Sequence, residues 1–332
     1  MERGAMRVLV AVVLTLAVVW GGYWFIGSRA LERGVEAWFA NQLGTGLVAE
    51  RESLAVQGFP NRFDLTINGL HIADTATGFG WTAPFVQVLT LSYKPWHVIV
   101  AFPNEQQINT PLEGLMLTSS KLQGSLVVTP NRNLPLDRTA VVGSDLGLTS
   151  TLGWSVAAKT LRLATKRVAP DGKLHEIGFE ILGLSPDAAL TAAVPELPEL
   201  IEKLRLDAEV GLTAPLDRNF GQTPPHVESI DVKEMSMAWG ELGLFGKGRV
   251  AANEDGLAEG RIELRVTNWR AALPLAVALG LVTPEVRPTW ENVLALLASR
   301  SGDPDDLDLP LSFQNGRMSL GPLPLGPAPA MR

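Results

Sequence analysis

No cysteine occurs among the 332 residues, which removes disulfides, thiol catalysis and cysteine-based zinc sites. A basic run is missing too. Lys166-Arg167 is the densest basic pair, and 28 Lys plus Arg stand against 35 Asp plus Glu, giving a formal charge of −7. That balance disfavours a nucleic-acid role. Four histidines, His71, His97, His175 and His226, lie far apart. None has a second histidine four residues on or an H-E-x-x-H setting, so no metal is expected. The one dense carboxylate run, Asp303, Asp305, Asp306 and Asp308, lacks the glycine and distal glutamate of a calcium loop and reads as a solvated linker.

What the chain does have is a long apolar run, "VLVAVVLTLAVVWGGYWFI", from Val8 to Ile26. At about 1.5 Å per residue it measures roughly 28 Å as a helix, close to the roughly 30 Å hydrocarbon core of a bilayer. An export signal has a shorter apolar region, about 7 to 15 residues, and ends in a small-x-small cleavage site. This run instead ends in Trp20, Tyr23, Trp24 and Phe25, which reads as an interfacial belt on an uncleaved anchor. Arg3 and Arg7 precede the run, while Arg29 and Arg33 follow it, interleaved with Glu32 and Glu36. The balance leans toward a cytoplasmic N-terminus, with the bulk of the chain in the periplasm and the helix in the inner membrane.

After the run, Val35, Trp38, Phe39 and Leu43 keep helical spacing, predicting an amphipathic stalk that ends at Gly44 or Gly46. From there the period changes to two. Phe63, Leu65 and Ile67 alternate with polar residues, and Asn68-Gly69 marks a hairpin turn or a bulge. Phe79, Trp81, Phe85, Leu89, Leu91 and Tyr93 share one parity. "WHVIVAF", "LEGLMLT", "KLQGSLVV", "WSVAAKTLRLA" and "EIGFEIL" read as further strands. Later strands have one wet and one dry face: Leu204 to Leu212 against Arg205, Asp207 and Glu209; Ile262, Leu264 and Val266 against Arg261, Glu263 and Arg265; Leu307 to Phe313 against Asp308 and Ser312. Helices are predicted at Leu197, Leu200, Ile201 and Leu204, and at Trp290 to Leu297 behind a Thr289 cap.

A weak internal repeat aligns Phe179 with Ile262, Ile181 with Leu264, Ser185 with Asn268 as helix cap, and Ala188-Ala189-Leu190 with Ala271-Ala272-Leu273. The fold class expected is mainly β with helices (α+β). A transmembrane helix precedes an open or curved antiparallel sheet, with paired helices and repeat copies at about 178–213 and 261–320. The expected divisions are an anchor and stalk over 1–45, a β-rich part over 46–170 and a β/helix part over 171–332.

The segments "GFPNRFDLTINGLHIADTATGFGWTAP", "LSYKPWHVI", "FPNEQQINTPLEGLMLTS", "WGELGLFGKGRV", "VTNW" and "NGRMSLGPLPLGPAP" resemble a bacterial domain-of-unknown-function family, number twenty-one twenty-five. The resemblance implies an alphaproteobacterial-type, Gram-negative envelope protein with one N-terminal span. It brings no catalytic residue and no cofactor. It marks Arg62, Asp64, Tyr93, Pro95, His97 and Glu105 as motif positions of structural character. More loosely, "G-x-M-x-L-G" phrases resemble AsmA-like envelope proteins, an analogy of fold only.

Chemical motifs are faint. "GWSVA" falls one residue short of a nucleophile elbow, and Ser155 reads as a strand residue. "GKGRVA" from Gly246 meets a loosened dinucleotide pattern, yet a turn follows where a helix would have to begin. His97, with Tyr93 and Glu105 near in sequence, reads as a strand histidine bonded to a neighbour. Apolar surface remains: Trp81, Phe85, Leu89, Leu91, Tyr93, Trp96, Val98 and Val100 either close a core or line a groove open to acyl chains. The expectation is a non-enzymatic envelope protein whose partners are the bilayer, a lipid ligand or an envelope protein. A structural or assembly role is the alternative, and an envelope hydrolase the third.

Overall fold

The computed structural model describes residues 2–42, 46–221, 224–280, 282–299, 303–321 and 323–331. The chain is mainly β with an N-terminal helix, and its sheet is built largely from antiparallel ladders. Contacts divide it into two compact units, Met1–Leu117 with Lys121–Ser125, and Thr118–Ser120 with Leu126–Arg332. The boundary expected at 170 falls inside an antiparallel hairpin, whose continuous ladder from Ala157↔Ser185 to Arg167↔His175 holds both strands in one unit. The stalk is not separate either, because it packs into the core of the first unit.

That unit contains α1 (Glu2–Asn41), β1 (Leu47–Glu50), β2 (Ser53–Gln57), β3 (Arg62–Asp74), β4 (Phe79–Leu91), β5 (Lys94–Ala101), β6 (Glu105–Asn109), most of β7 (Gly114–Thr118) and the start of β8 (Lys121–Val128). Helix α1 is long and apolar enough to cross a membrane, with 6% of its most apolar stretch buried. From Trp24 onward it turns one face to the sheet. Trp24 and Phe39 are buried with Phe63, Leu65, Ile67, Leu70 and Val86, and Leu31 and Val35 pack against them. Leu43 and Gly44, the expected end of the stalk, lie outside the described residues.

The pair β3–β4 is one continuous ladder, so Asn68-Gly69 is not a hairpin turn. Gly69 has a φ of +58° and reverses the strand's facing. Before it, Leu65 and Ile67 are buried; after it, Leu70 is. Opposite, Pro84 marks the matching switch in β4. Val86 and Val88 face the helix on one side of it, and Ala83 and Trp81 on the other. Phe85, Leu89 and Leu91 therefore point away from Trp81, and the single parity expected across β4 is broken.

The second unit holds β9 (Leu136–Ser150), β10 (Ser155–Arg167), β11 (Leu174–Ser185), α2 (Ala188–Ala193), β12 (Ile201–Leu212), β13 (Val227–Trp239), β14 (Leu242–Ala252) and β15 (Ala258–Thr267). It continues with α3 (Trp269–Ala278), a 3-10 turn at Pro284–Val286, α4 (Arg287–Ala298), β16 (Asp306–Gln314), β17 (Arg317–Leu320) and β18 (Leu323–Pro327). From β9 to β18 each strand pairs with the next. The wet and dry faces read from the sequence are present. Ala208, Leu212, Leu307, Leu309 and Phe313 are buried on one side. On the other side Arg162 meets Glu180, Lys233 meets Glu209, and Arg265 meets Asp308. Helices α3 and α4 seat Trp269, Leu273, Leu294 and Ala298 against Leu307 and Leu309.

Several helix expectations fail in this unit. No helix crosses Leu197 to Leu204; β12 begins at Ile201, because pairing with β11 and β13 satisfies its backbone on both sides. Pro195 and Pro198, which lack an amide hydrogen, also oppose a helix there. The α2 cap is Asp187, whose carboxylate accepts from Ala189 N at 2.9 Å; Ser185 closes β11. Asn268 holds the cap position of α3 with a left-handed backbone and no side-chain cap bond. Thr289 sits inside α4, whose cap is Val286. The two repeat segments share a strand–helix–strand frame, but the first has only the short α2 where the second has α3 and α4.

Candidate functional site

An apolar recess of about 530 Å³ opens at one end of the first unit's sheet, lined by Leu47, Ile72, Asp74, Phe79, Gly80, Trp81, Phe102, Gln106 and Ile108. Its volume lies within the roughly 300–1,000 Å³ typical of small-ligand sites. Its walls come from a pairing out of sequence order: β6 adds to the start of β4, setting Trp81 opposite Ile108 and Gly80 opposite Asn109. Phe102 meets Trp81 edge-on, with ring centroids 6.0 Å apart. The Trp81 indole donates to Gln106 Oε1 at 3.1 Å, which fixes the amide orientation. Gln106 is 4% exposed, and its Nε2 has no hydrogen-bond partner among the described residues. At the rim, Asp74 accepts from Ala76 N at 2.9 Å and Thr77 Oγ1 at 2.8 Å. These bonds, the Ala76 amide foremost, hold its carboxyl below the usual aspartate range. The recess is thus greasy inside, with one fixed negative charge at its edge.

Of the residues expected to form a groove, only Trp81 lines this recess. Val100 packs on the same helix-facing cluster as Trp81, and Val98 continues that side of β5. Phe85, Leu89 and Leu91 lie on the opposite face, half-buried beside Asn68, Asp64 and Arg62 of β3. Tyr93 is exposed in the turn between β4 and β5, and Trp96 is half-buried in β5. Leu47, Ile72, Gln106 and Ile108 escaped the sequence reading, and Phe79 and Phe102, though in strands it singled out, were not among its groove residues. The missing signal was the β4–β6 register, which no local periodicity carries.

The motif positions take bonding or surface roles. Arg62 Nε donates to Asp64 Oδ1 at 3.0 Å, and the Arg62 carbonyl accepts from the Trp24 indole at 2.6 Å. His97 Nε2 lies 3.1 Å from Ser125 Oγ, and no bond joins it to Tyr93 or Glu105 among the described residues. Pro95 and Glu105 are exposed. The other histidines are equally dispersed: His71 bonds Thr82 across the β3–β4 ladder, and His175 is buried with its Nε2 on the Gly172 carbonyl.

Ser155 is the first residue of β10, and its amide donates to Asp187 Oδ2 at 2.9 Å. "GKGRVA" lies wholly within β14. In the acidic run, Asp308 accepts from Arg265 Nε and Nη2, at 2.7 and 2.9 Å, and Asp305 accepts from Arg270 Nη1 at 2.6 Å. No cluster of three metal-ligating side chains occurs among the described residues.

Of the depressions in the second unit, two differ sharply in character. The larger, about 690 Å³, sits on the wet face between Lys233, Phe245, Glu263, Arg265 and Asp308. Lys233, Arg265 and Asp308 are already committed to ion pairs there. The smaller, about 490 Å³, is apolar, lined by Leu126, Val128, Leu134, Leu136, Leu216 and Phe220.

No curated protein and no solved structure matches the chain, so the AsmA-like analogy gains no support. A family described as an uncharacterized protein conserved in bacteria, DUF2125, matches residues 24–329, starting at the first buried residue of α1. Spanning most of the chain, that match makes it a member of the DUF2125 family.

Proposed function

We propose that this is a non-catalytic, single-pass inner-membrane protein of the cell envelope, with its N-terminus in the cytoplasm and both units in the periplasm. In this reading it holds the acyl part of a lipid, or a similar hydrophobic ligand, in the recess of its first unit. The observation that carries the proposal is the recess itself, an apolar hollow in the same unit that α1 docks onto. Each methylene taken from water contributes about 0.8 kcal/mol, enough for a short stretch of acyl chain to offset the cost of its ordering. Retention of α1 is favoured because Trp24 is 7% exposed in the core, so cleavage after the apolar run would remove a core residue.

The test uses the full chain, purified in mild detergent, stripped of lipid and exposed to a photoreactive fatty-acyl probe. Crosslinks should map to Trp81, Phe102 or Ile108, and Ile108→Trp, which enlarges a side chain of the lining and fills the recess, should abolish them while thermal unfolding stays cooperative. Labelling spread evenly over both units, or unaffected by the filled recess, would refute the site. A role as assembly partner is the second reading, favoured by the exposed Phe220 and Leu134 at the apolar depression of the second unit. It predicts a protein crosslink to Phe220 and no retained lipid.

A further inference from the structure

We propose that two hairpin tips of the first unit, residues 58–61 between β2 and β3 and residues 92–93 between β4 and β5, lie in the headgroup–acyl boundary of the bilayer that α1 crosses. The inference rests on α1 being a membrane span. From its apolar run α1 continues alongside the sheet, and the chain then passes up and down in β2, β3, β4 and β5. Both tips return to one level of the helix. The Phe59 ring lies 5.4 Å from that of Trp24 and 5.7 Å from that of Phe25. It also approaches the Cα side of Gly21, where an added Cβ would meet it at 3.8 Å. Gly21 precedes the end of the apolar run at Ile26 by about 8 Å of helical rise. A side chain at that level lies in the bilayer's edge.

Main-chain bonding points the same way. Three carbonyls at or next to the tips each receive a donor from the helix: Pro60 from the Trp20 indole at 3.0 Å, Arg62 from the Trp24 indole at 2.6 Å, and Ser92 from the Tyr23 hydroxyl at 2.7 Å. The Ser92 amide in turn donates to the Asn61 carbonyl at 2.9 Å, joining the two tips. In water such carbonyls need no protein donor; in a water-poor layer each must have one. Composition separates the ends of the sheet as well. These tips bring Phe59-Pro60 and Tyr93-Lys94, whereas the tip between β3 and β4, at the opposite end, is Thr75-Ala76-Thr77-Gly78. Aromatic and basic side chains suit the interface. Phe59 and Tyr93 are 56% and 52% exposed, large apolar surfaces that the protein itself leaves uncovered.

Because the chain has no native cysteine, single labels are unambiguous. Phe59→Cys, Tyr93→Cys, Leu112→Cys and Val13→Cys would each carry an environment-sensitive fluorophore on the full chain in phosphatidylcholine–phosphatidylglycerol vesicles. Leu112, 85% exposed in the loop after β6, is the aqueous reference, and Val13 the membrane one. The expected result is blue-shifted emission quenched by spin-labelled lipid at 59 and 93, shallower than at 13, with neither effect at 112. Labels at 59 and 93 that behave like 112 while 13 is quenched would overturn the proposal and leave the span standing. An unquenched label at 13 would overturn both. Tyr93→Cys removes no ring contact to α1, so it remains informative if Phe59→Cys disturbs packing.

Discussion

Gly27 and Gly34 stand two turns apart on α1 with opposite surroundings. A Cβ at Gly27 would come within 2.7 Å of Phe63 Cζ, and that ring is buried and stacked on Trp24, so it cannot swing aside. At Gly34 a Cβ meets nothing within 4 Å. Gly27→Ala should therefore destabilise by about 1–3 kcal/mol through overpacking. Gly34→Ala should stabilise by up to ~1 kcal/mol through helix propensity. Thermal unfolding of the two variants in the same detergent reads the opposite signs; a shared sign would mean that α1 does not seat on Phe63. A second residue sets a pH dependence. His175 is 2% exposed, and burial, aided by the nearby Arg167 charge, pushes its pKa down against a smaller upward pull from the Gly172 carbonyl. The native ring stays neutral where the unfolded one, near 6.5, takes up a proton. Stability should be full above about pH 6.5 and decline as pH falls below it. Unfolding midpoints between pH 8 and 5.5 should show this slope, and His175→Gln should flatten it. Residue identity alone disclosed neither effect. Nor did it show that Trp20, Tyr23 and Trp24, which suit a membrane belt by type, spend their polar atoms on the carbonyls of two hairpins.

At the level of elements, the apolar run, the change from period 3.6 to period 2 and the wet-and-dry strands were legible, because each follows from neighbours in sequence. What competed with local pattern was pairing at a distance. Ile201 to Leu204 carry helical spacing, yet ladders to β11 and β13 claim them as strand. The facing of β3 and β4 reverses at a single glycine, so Trp81 and Phe85 part company although they share parity. The recess depends on β6 skipping to β4, a choice written in no one segment. Docking of α1 is the element-level interaction with the clearest mutational signature. Trp24→Ala should cost about 3–5 kcal/mol by leaving a cavity between Phe59 and Phe63. Trp24→Phe should keep the packing and cost about 1–3 kcal/mol for the Arg62 carbonyl left without its donor. If Trp24→Phe unfolds at the same midpoint as the parent chain, the indole bond contributes nothing.

For the whole molecule, α1 and the strands of the first unit share one core across the division expected at residue 45. Removing residues 2–45 takes away Trp24, Leu31, Val35 and Phe39, and with them one wall of the core. That truncation should lose near-ultraviolet circular dichroism from the first unit and aggregate. Removing residues 2–19 instead leaves the docked part of α1 intact and should yield a folded chain that no longer sediments with membranes after alkaline extraction. Should the shorter chain starting at 46 fold with native dichroism, the helix would be a tether and not a wall.

The shared wall sets an order of events during biogenesis. Strands β2 to β5 emerge from the ribosome after α1, yet their apolar face has no cover until α1 lies beside them. Under the proposed topology, maturation of the first unit must therefore wait for its N-terminal segment to settle sideways out of whatever carries it across or into the lipid. Correct seating of α1 and completion of the domain then become one checkpoint, and a chain whose α1 is misplaced exposes Phe63, Leu65 and Ile67 to proteolysis.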